Sequence, residues 1–436
     1  MNIGSEMQEI SSNNKRIAKN TLLLYFRMLV TMAVSLYTSR VVLNILGVED
    51  FGIYNVVGGI VAMFGFINGS MTSATQRYLT FELGQNNRAQ LTKVFSTSLS
   101  IHGIISFLII VLAETVGLWF LWNKMQIPAD RMNAAFWVFQ CSVAASVIMI
   151  MSVPYNAAII AHERMSAFAY ISIIEVSLRL LIVCFLRYFH TDKLILYAAL
   201  IVIVQFLIRL CYSWYCNRHF NETKYRWSWD KGLFKEMTGF ASWNMFGSLA
   251  AITFTQGLNL LLNMFFGPVV NAARGIAVQA QTAIGQFSSN FQTALNPQIT
   301  KSYATGDMEY MHGLIFRSAK FSFFLLLLLS LPVLIETKAI LTLWLKIVPD
   351  HTVVFLRIML CTTWVYAVSN PLITAASATG KIKLYQSVVG GLLLLILPIS
   401  YLCLRFGLPA YSVFIVHFVM EITAQFARLL MLRRMI

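Results

Sequence analysis

LLLYFRMLVTMAVSLYTSRVVLNILG, residues 22–47, is long and apolar enough to cross a bilayer, yet it carries two arginines, Arg27 and Arg40. A helix rises about 1.5 Å per residue, so roughly 20 apolar residues span the hydrocarbon. With 21–46 as the first, comparable runs at 52–80, 94–121, 134–156, 167–188, 194–216, 238–265, 270–295, 319–335, 352–372, 384–404 and 409–430 make about twelve spans. Continuous runs, not alternating ten-residue segments, carry the signal, which favours a helical bundle over an outer-membrane barrel. Hydrophobic residues at 58% against charged residues at 12% exclude a soluble domain. The expected class is therefore an all-α polytopic membrane protein.

The net charge of +15 raises the question of a nucleic-acid partner, and the placement of the basic residues answers it. With the N-terminus in the cytosol, most Lys and Arg fall in or beside cytosolic segments, so the excess is a topology signal and no nucleic acid is expected. An even number of spans puts the C-terminus in the cytosol too. The polar start, MNIGSEMQEISSNNKRIAKN, has no compact apolar core before a small-residue cleavage site and reads as a retained cytosolic tail. Cys141, Cys184, Cys211, Cys216, Cys361 and Cys403 lie in or at the ends of apolar segments with no CxxC pair, and read as small apolar filler.

Offset by 220 positions, LGVEDFGIYNVVGGIVAMFGFINGSMTSATQRYLT lies over FGPVVNAARGIAVQAQTAIGQFSSNFQTALNPQIT, matching Gly47 with Gly267, Gly65 with Gly285 and Thr80 with Thr300. An offset of 217 lays PYNAAIIAHER over PLITAASATGK, with Pro154 on Pro371. Two matches in the same order predict a six-plus-six repeat with parallel halves and a central cleft between them as the binding site. The divisions are an N-terminal lobe over 1–216, a linker over 217–237 and a C-terminal lobe over 238–436. The linker, basic and carrying Trp227 and Trp229, reads either as a cytosolic interfacial segment or as a solvated loop.

Residues three, four, seven or eight apart share a helix face. Arg40 lies about two turns before Gly47 and can snorkel to the interface. Arg27 sits roughly 12 Å beyond Lys19 and shares its face with Thr31, Ser35 and Thr38. A mid-span arginine costs about 2.5–3.5 kcal/mol on the lenient insertion scale and usually faces a wet cavity or an anion. The eighth span stripes Arg274, Val278, Gln281, Gly285, Ser288 and Gln292; its repeat mate carries Tyr54, Gly58, Gly65, Asn68 and Thr72; the seventh adds Asn244, Ser248, Thr255 and Asn259. Such faces suit either a cleft lining or close helix packing, and Gly65–Gly69 serves both. Arg209 and Arg357 have no local partner, whereas Glu175 and Arg179 are four apart and can pair. Glu114, Glu336 and Glu421 sit near helix ends, where exposure is expected. Buried cations thus outnumber buried carboxylates and point to an anionic ligand. No metalloprotease, hydrolase or nucleotide-loop motif is present, so the chain does not read as an enzyme, and neither a metal nor a cofactor is expected.

The segments NTLLLYFRMLVTMAVSLYTSRVVLNILGVEDFGIYNVVGGI, SMTSATQRYLTFELG and SVPYNAAIIAHERMSAFAYISIIEV resemble bacterial O-antigen flippases (Wzx type) of the multidrug/oligosaccharidyl-lipid/polysaccharide exporter (MOP) superfamily. The resemblance covers nearly the whole chain and is densest in the first 180 residues. It implies twelve helices in two six-helix lobes that move undecaprenyl-pyrophosphate-linked oligosaccharide across the bacterial inner membrane by alternating access. Membrane lipids and other polysaccharide-assembly proteins are the implied further partners. In related flippases of lipid-linked cell-wall precursors, arginines on the first and eighth helices bind the pyrophosphate, a role that would fall here on Arg27 and Arg274. That family's further basic residue on the second helix has no mid-membrane equivalent, since Arg77 lies near the cytosolic end. Arg209, Arg357, Asn68, Gln281, Asn244 and Asn259 complete the expected substrate-binding set. A cation-coupled drug or metabolite exporter of the same superfamily is the alternative, and a membrane glycan polymerase or ligase a further one.

Overall fold

The computed structural model describes residues 3–436 apart from 63–64, 124, 126, 187, 190, 225–229 and 346–347. The linker tryptophans Trp227 and Trp229 lie outside the described residues, as do the side chains of Arg40 and Asn68 and the surroundings of Gly65. The described chain is helical and divides into two compact units, Met1–Thr238 and Gly239–Ile436.

The first unit holds α1 (Ile3–Ala62), α2 (Gly65–Gly84), α3 (Arg88–Leu112), α4 (Leu118–Asn123), α5 (Met132–Ala161), α6 (Met165–Leu186), α7 (Lys193–His219) and the first turns of α8 (Lys231–Phe266). The second holds the rest of α8, then α9 (Pro268–Thr305), α10 (Met308–Ile335), α11 (Thr337–Leu345), α12 (Thr352–Ala378), α13 (Lys383–Arg405) and α14 (Ser412–Met435). Helix starts follow from side-chain acceptors that satisfy otherwise orphaned backbone donors. Asn87 accepts from Gln90 N at 3.2 Å, Asp192 from Leu194 N at 3.0 Å, Asp230 from Gly232 N at 2.9 Å and Asp307 from Tyr310 N at 3.1 Å.

Ten helical segments among the described residues are long and apolar enough to cross a membrane. The two remaining expected spans, the stretch after Gly47 and α9, are the second helices of the two halves. α9 is rich in Ala, Gln, Ser and Asn, which lowers its hydropathy, whereas the stretch after Gly47 includes residues outside those described.

The internal repeat has a backbone counterpart. Gly47 breaks α1 with φ 79° and ψ 172°, and Gly267 precedes α9 with φ 77° and ψ −170°. Both occupy a region that side chains disfavour, so glycine makes each bend possible. The second match recurs as Pro154 inside α5 and Pro371 inside α12. Because no atom lies within 4 Å of a Cβ added at Gly47 or Gly267, alanine there meets conformational strain without a clash. Each substitution should cost about 1–2 kcal/mol. Gly275→Ala, in a regular helix with equal space, should be neutral or stabilising, and thermal unfolding in detergent separates the two outcomes.

In the first unit, Ile53, Val57, Leu121, Val138 and Phe139 form one apolar core. A π turn over Ala113–Gly117 joins α3 to α4 and sets Gly117 against the Phe139 ring, so close that a Cβ would approach the ring to 2.7 Å. Ion pairs tie off both ends of this unit. At one, Arg131 bridges Asp50 and the α7 cap Asp192. At the other, Arg16 holds the buried Glu163 carboxylate at 2.9 Å, Asn20 donates to the Glu163 carbonyl at 3.2 Å, and His162 pairs with Glu222. Burial opposes the Glu222 charge, but the hydrogen bond from His162 and the charge of Arg88 hold its carboxyl below the usual range. In the second unit, Leu258, Leu262, Phe355, Leu356, Val413 and Phe414 form the core. Gly257 and Gly390 let α8 and α13 approach closely: a Cβ at Gly257 would come within 2.5 Å of Leu397, and one at Gly390 within 2.9 Å of Phe246.

Candidate functional site

Two of the expected cations occupy the first unit. Arg27, on α1, lays its guanidinium over the Phe168 ring of α6 at 4.5 Å from the centroid, within electrostatic range of Tyr212 on α7. Arg209, also on α7, is half-buried, with its guanidinium carbon 5.9 Å from the Tyr155 ring centroid. Its Nη1 is buried and has no hydrogen-bond partner among the described residues. Aromatic faces suit these positions because ring quadrupoles stabilise a cation without neutralising it. Further along α6, Glu175 accepts from Arg179 at 2.7 Å and from Gln205 Nε2 at 3.2 Å, so the pair expected from spacing forms and fills this carboxylate.

In the second unit, Arg274 is only 9% exposed. Its Nη1 donates to Asn259 Oδ1 at 3.3 Å and its Nη2 to the Thr255 carbonyl at 2.8 Å. Its Nε is buried and unpaired among the described residues. His417 of α14 lies within electrostatic range and packs against Phe254 at 4.9 Å between ring centroids. Arg274 and Asn259 are thus brought together across the α8–α9 pair, with neutral oxygens as the arginine's only hydrogen-bond acceptors among the described residues.

Three other expected residues, and one stripe mate, are engaged in bonds between helices. Gln281 donates to Thr363 Oγ1 at 2.8 Å and to the Met359 carbonyl at 3.1 Å, binding α9 to α12. Its stripe mate Gln292 joins α9 to α10 through Ser322 at 2.6 Å and Ser318 at 3.2 Å. Asn244 Oδ1 accepts from Gln386 Nε2 at 2.9 Å, binding α8 to α13. A polar stripe in an apolar medium seeks partners on neighbouring helices, and these bonds fit the helix-packing reading of the stripe. Arg357 is exposed and donates to Thr337 Oγ1 at 3.1 Å and to the Ile335 carbonyl at 3.4 Å. It satisfies the carboxyl end of α10 and is not a buried cation.

Glu421 requires a correction. Expected to be exposed near a helix end, it is 4% exposed and pairs with Arg428 at 2.7 Å, both on α14. Arg428 also donates to Ser369 Oγ at 2.9 Å and to the Tyr385 hydroxyl at 3.2 Å, and Ser369 donates to Gln425 Oε1 at 2.5 Å. Sequence reasoning passed over Arg428; its spacing of seven from Glu421 was the available signal, since i and i+7 share a face.

Among the described residues, the carboxylates Glu163, Glu175 and Glu421 each pair with an arginine, whereas Arg209 and Arg274 have no carboxylate partner.

A family model described as "Polysaccharide biosynthesis protein" matches residues 17–303. No curated protein matches the sequence. The fold is similar to that of an outward-facing multidrug resistance MATE family transporter of the MOP superfamily, at 12% identity, TM-score 0.83 and coverage of 97% of this chain and 96% of that one. It is also similar to the Vibrio cholerae MATE transporter VcmN in the bent form, at 16% identity, TM-score 0.81 and coverage of 98% and 97%. A MOP superfamily transporter from Pyrococcus furiosus matches at 13% identity, TM-score 0.82 and coverage of 97% and 96%. The fold is the one seen in MOP-superfamily transporters, and the family match covers more than half of the sequence: this chain belongs to the polysaccharide biosynthesis protein family.

Proposed function

We propose that the protein is a flippase that carries undecaprenyl-pyrophosphate-linked oligosaccharide from the cytosolic to the periplasmic leaflet of the bacterial inner membrane, with both termini in the cytosol. The observation that carries this reading is the uncompensated interior charge. Among the described residues, Arg274 is buried with neutral acceptors and a free Nε, and Arg209 has a buried Nη1 with no acceptor. A guanidinium kept dry without a counter-ion is expensive unless an anion visits it, and its planar fork suits phosphate oxygens. Arg27 lies on its own aromatic platform in the first unit.

The family's link to polysaccharide biosynthesis fits a glycan load, and similarity to transporters described in outward-facing and bent forms fits alternating access. Asn259 beside Arg274 can hydrogen-bond either the pyrophosphate or the first sugar. Outward movement of net negative charge would gain about 2.3 kcal/mol per charge per 100 mV of inside-negative potential. A cation-coupled exporter would want an unpaired buried carboxylate, and Glu163, Glu175 and Glu421 are all paired.

Ligand choice tests the proposal. Titrated into the purified protein, undecaprenyl pyrophosphate should bind at least about tenfold more tightly than undecaprenol, because hydrogen bonds to a charged group contribute about 1.5–3 kcal/mol. Equal affinity for the neutral alcohol, or preference for a cationic dye, would remove the basis for an anion carrier.

A further inference from the structure

A groove opens on the surface of the second unit, with α12 as its floor and α10 and α14 as its walls. Cys361, Trp364, Val365 and Val368 form one stripe of α12 at positions i, i+3, i+4 and i+7; Phe323 of α10 stands on one side, Phe418 and Gln425 of α14 on the other. Its volume is about 360 Å³, and the run from Cys361 to Val368 on α12 gives it a length of about 10 Å. Trp364 and Phe323 meet edge to face at 6.2 Å between ring centroids, and Trp364 Nε1 is satisfied by Ser330 Oγ at 2.8 Å, so its polar edge is turned away from any guest.

The ends of the groove differ. At the Gln425 end, Lys320 lies three residues before Phe323 on α10 and Arg433 eight residues after Gln425 on α14. Both are exposed, and at 100° per residue each falls within about 60–80° of its helix's groove-lining direction. The apolar slot therefore has positive charge at one end, the complement of a lipid with a hydrocarbon chain and an anionic head. Phe316, 75% exposed and seven residues before Phe323, continues the aromatic wall toward that same end.

We propose that this groove is a first docking site for the isoprenoid chain of a polyprenyl phosphate or pyrophosphate, with the phosphate held at Lys320 and Arg433 before it passes to Arg274. The inference rests on the flippase reading and assigns its substrate's tail a place. The CH groups of a methyl-branched, unsaturated chain would pack against the three aromatic rings of Phe323, Trp364 and Phe418. The floor also touches Gln425, which accepts from Ser369, the partner of Arg428 in the buried ion pair, so a chain seated here lies against the polar core of the unit.

The test is photo-labelling of the whole protein in nanodiscs with a polyprenyl phosphate carrying a diazirine in its chain, followed by mass-spectrometric mapping. The label should concentrate on peptides containing 361–368 and 418–425, and unlabelled polyprenyl phosphate should displace it where the same mole fraction of phosphatidylglycerol does not. Val365→Trp, which fills the slot, and Lys320→Gln with Arg433→Gln, which leave the core intact, should each reduce groove labelling at least fivefold. Labelling spread evenly over the lipid-facing helices, no response to these variants, or equal displacement by phosphatidylglycerol would overturn the proposal, the last by identifying an ordinary anionic-phospholipid site. Transport of lipid-linked glycan without groove labelling would refute the groove alone; groove labelling without such transport would refute the flippase reading and leave the groove standing.

Discussion

Glu421→Gln is expected to destabilise the protein by about 3–5 kcal/mol, the usual cost of leaving one member of a buried ion pair without its partner. Arg428 is 3% exposed and its charge is balanced by this carboxylate; Ser369 and Tyr385 supply only neutral oxygens. Glutamine keeps the shape and one acceptor but removes the charge, so the loss is electrostatic and not steric. Arg428→Met should cost a similar amount by stranding Glu421. The double variant Glu421→Met with Arg428→Met should recover most of the loss, because a well-packed apolar replacement for a buried pair is often neutral. Thermal unfolding in detergent reads all three. A single-variant loss below about 1 kcal/mol would mean that water reaches the pair and that it does not anchor α14.

Arg274→Ala is the second large effect, and it falls on binding. Losing one charge-assisted hydrogen bond to a pyrophosphate, worth about 1.5–3 kcal/mol, should weaken its affinity by about 10–100-fold. Arg27→Ala should act in the same direction, and both variants should abolish export while protein levels are retained. Arg274→Lys should restore less than full affinity, because a point charge replaces a planar fork that also holds Asn259 and the Thr255 carbonyl. Full export by both alanine variants would reject the arginines as phosphate hooks.

Much of the architecture was legible in the sequence because it rests on local chemistry. Gly47 and Gly267 mark their bends through a backbone conformation that other residues avoid, and the alignment that paired them needed no knowledge of tertiary contacts. Glu175 and Arg179 paired as their spacing of four suggested. The site was less legible because its polar side chains choose partners far along the chain. Gln281 bonds to Thr363, 82 residues away, and Asn244 to Gln386, 142 residues away, distances over which helix periodicity says nothing. Arg357 lost its place among the buried cations because α10 ends at Ile335, where free carbonyls need a donor. Glu421 was misread because α14 runs to Met435, which places Arg428 about two turns inside the helix and makes the pair internal.

The most direct test of the central claim is leaflet transfer. Proteoliposomes containing a fluorescent undecaprenyl-pyrophosphate-linked oligosaccharide would be scored with a quencher that cannot cross the bilayer. The wild-type protein should move the lipid between leaflets well above the rate in protein-free vesicles, and Arg274→Ala at equal reconstitution should return it to that background. A wild-type rate no higher than background, or an Arg274→Ala rate equal to wild type, would contradict the account.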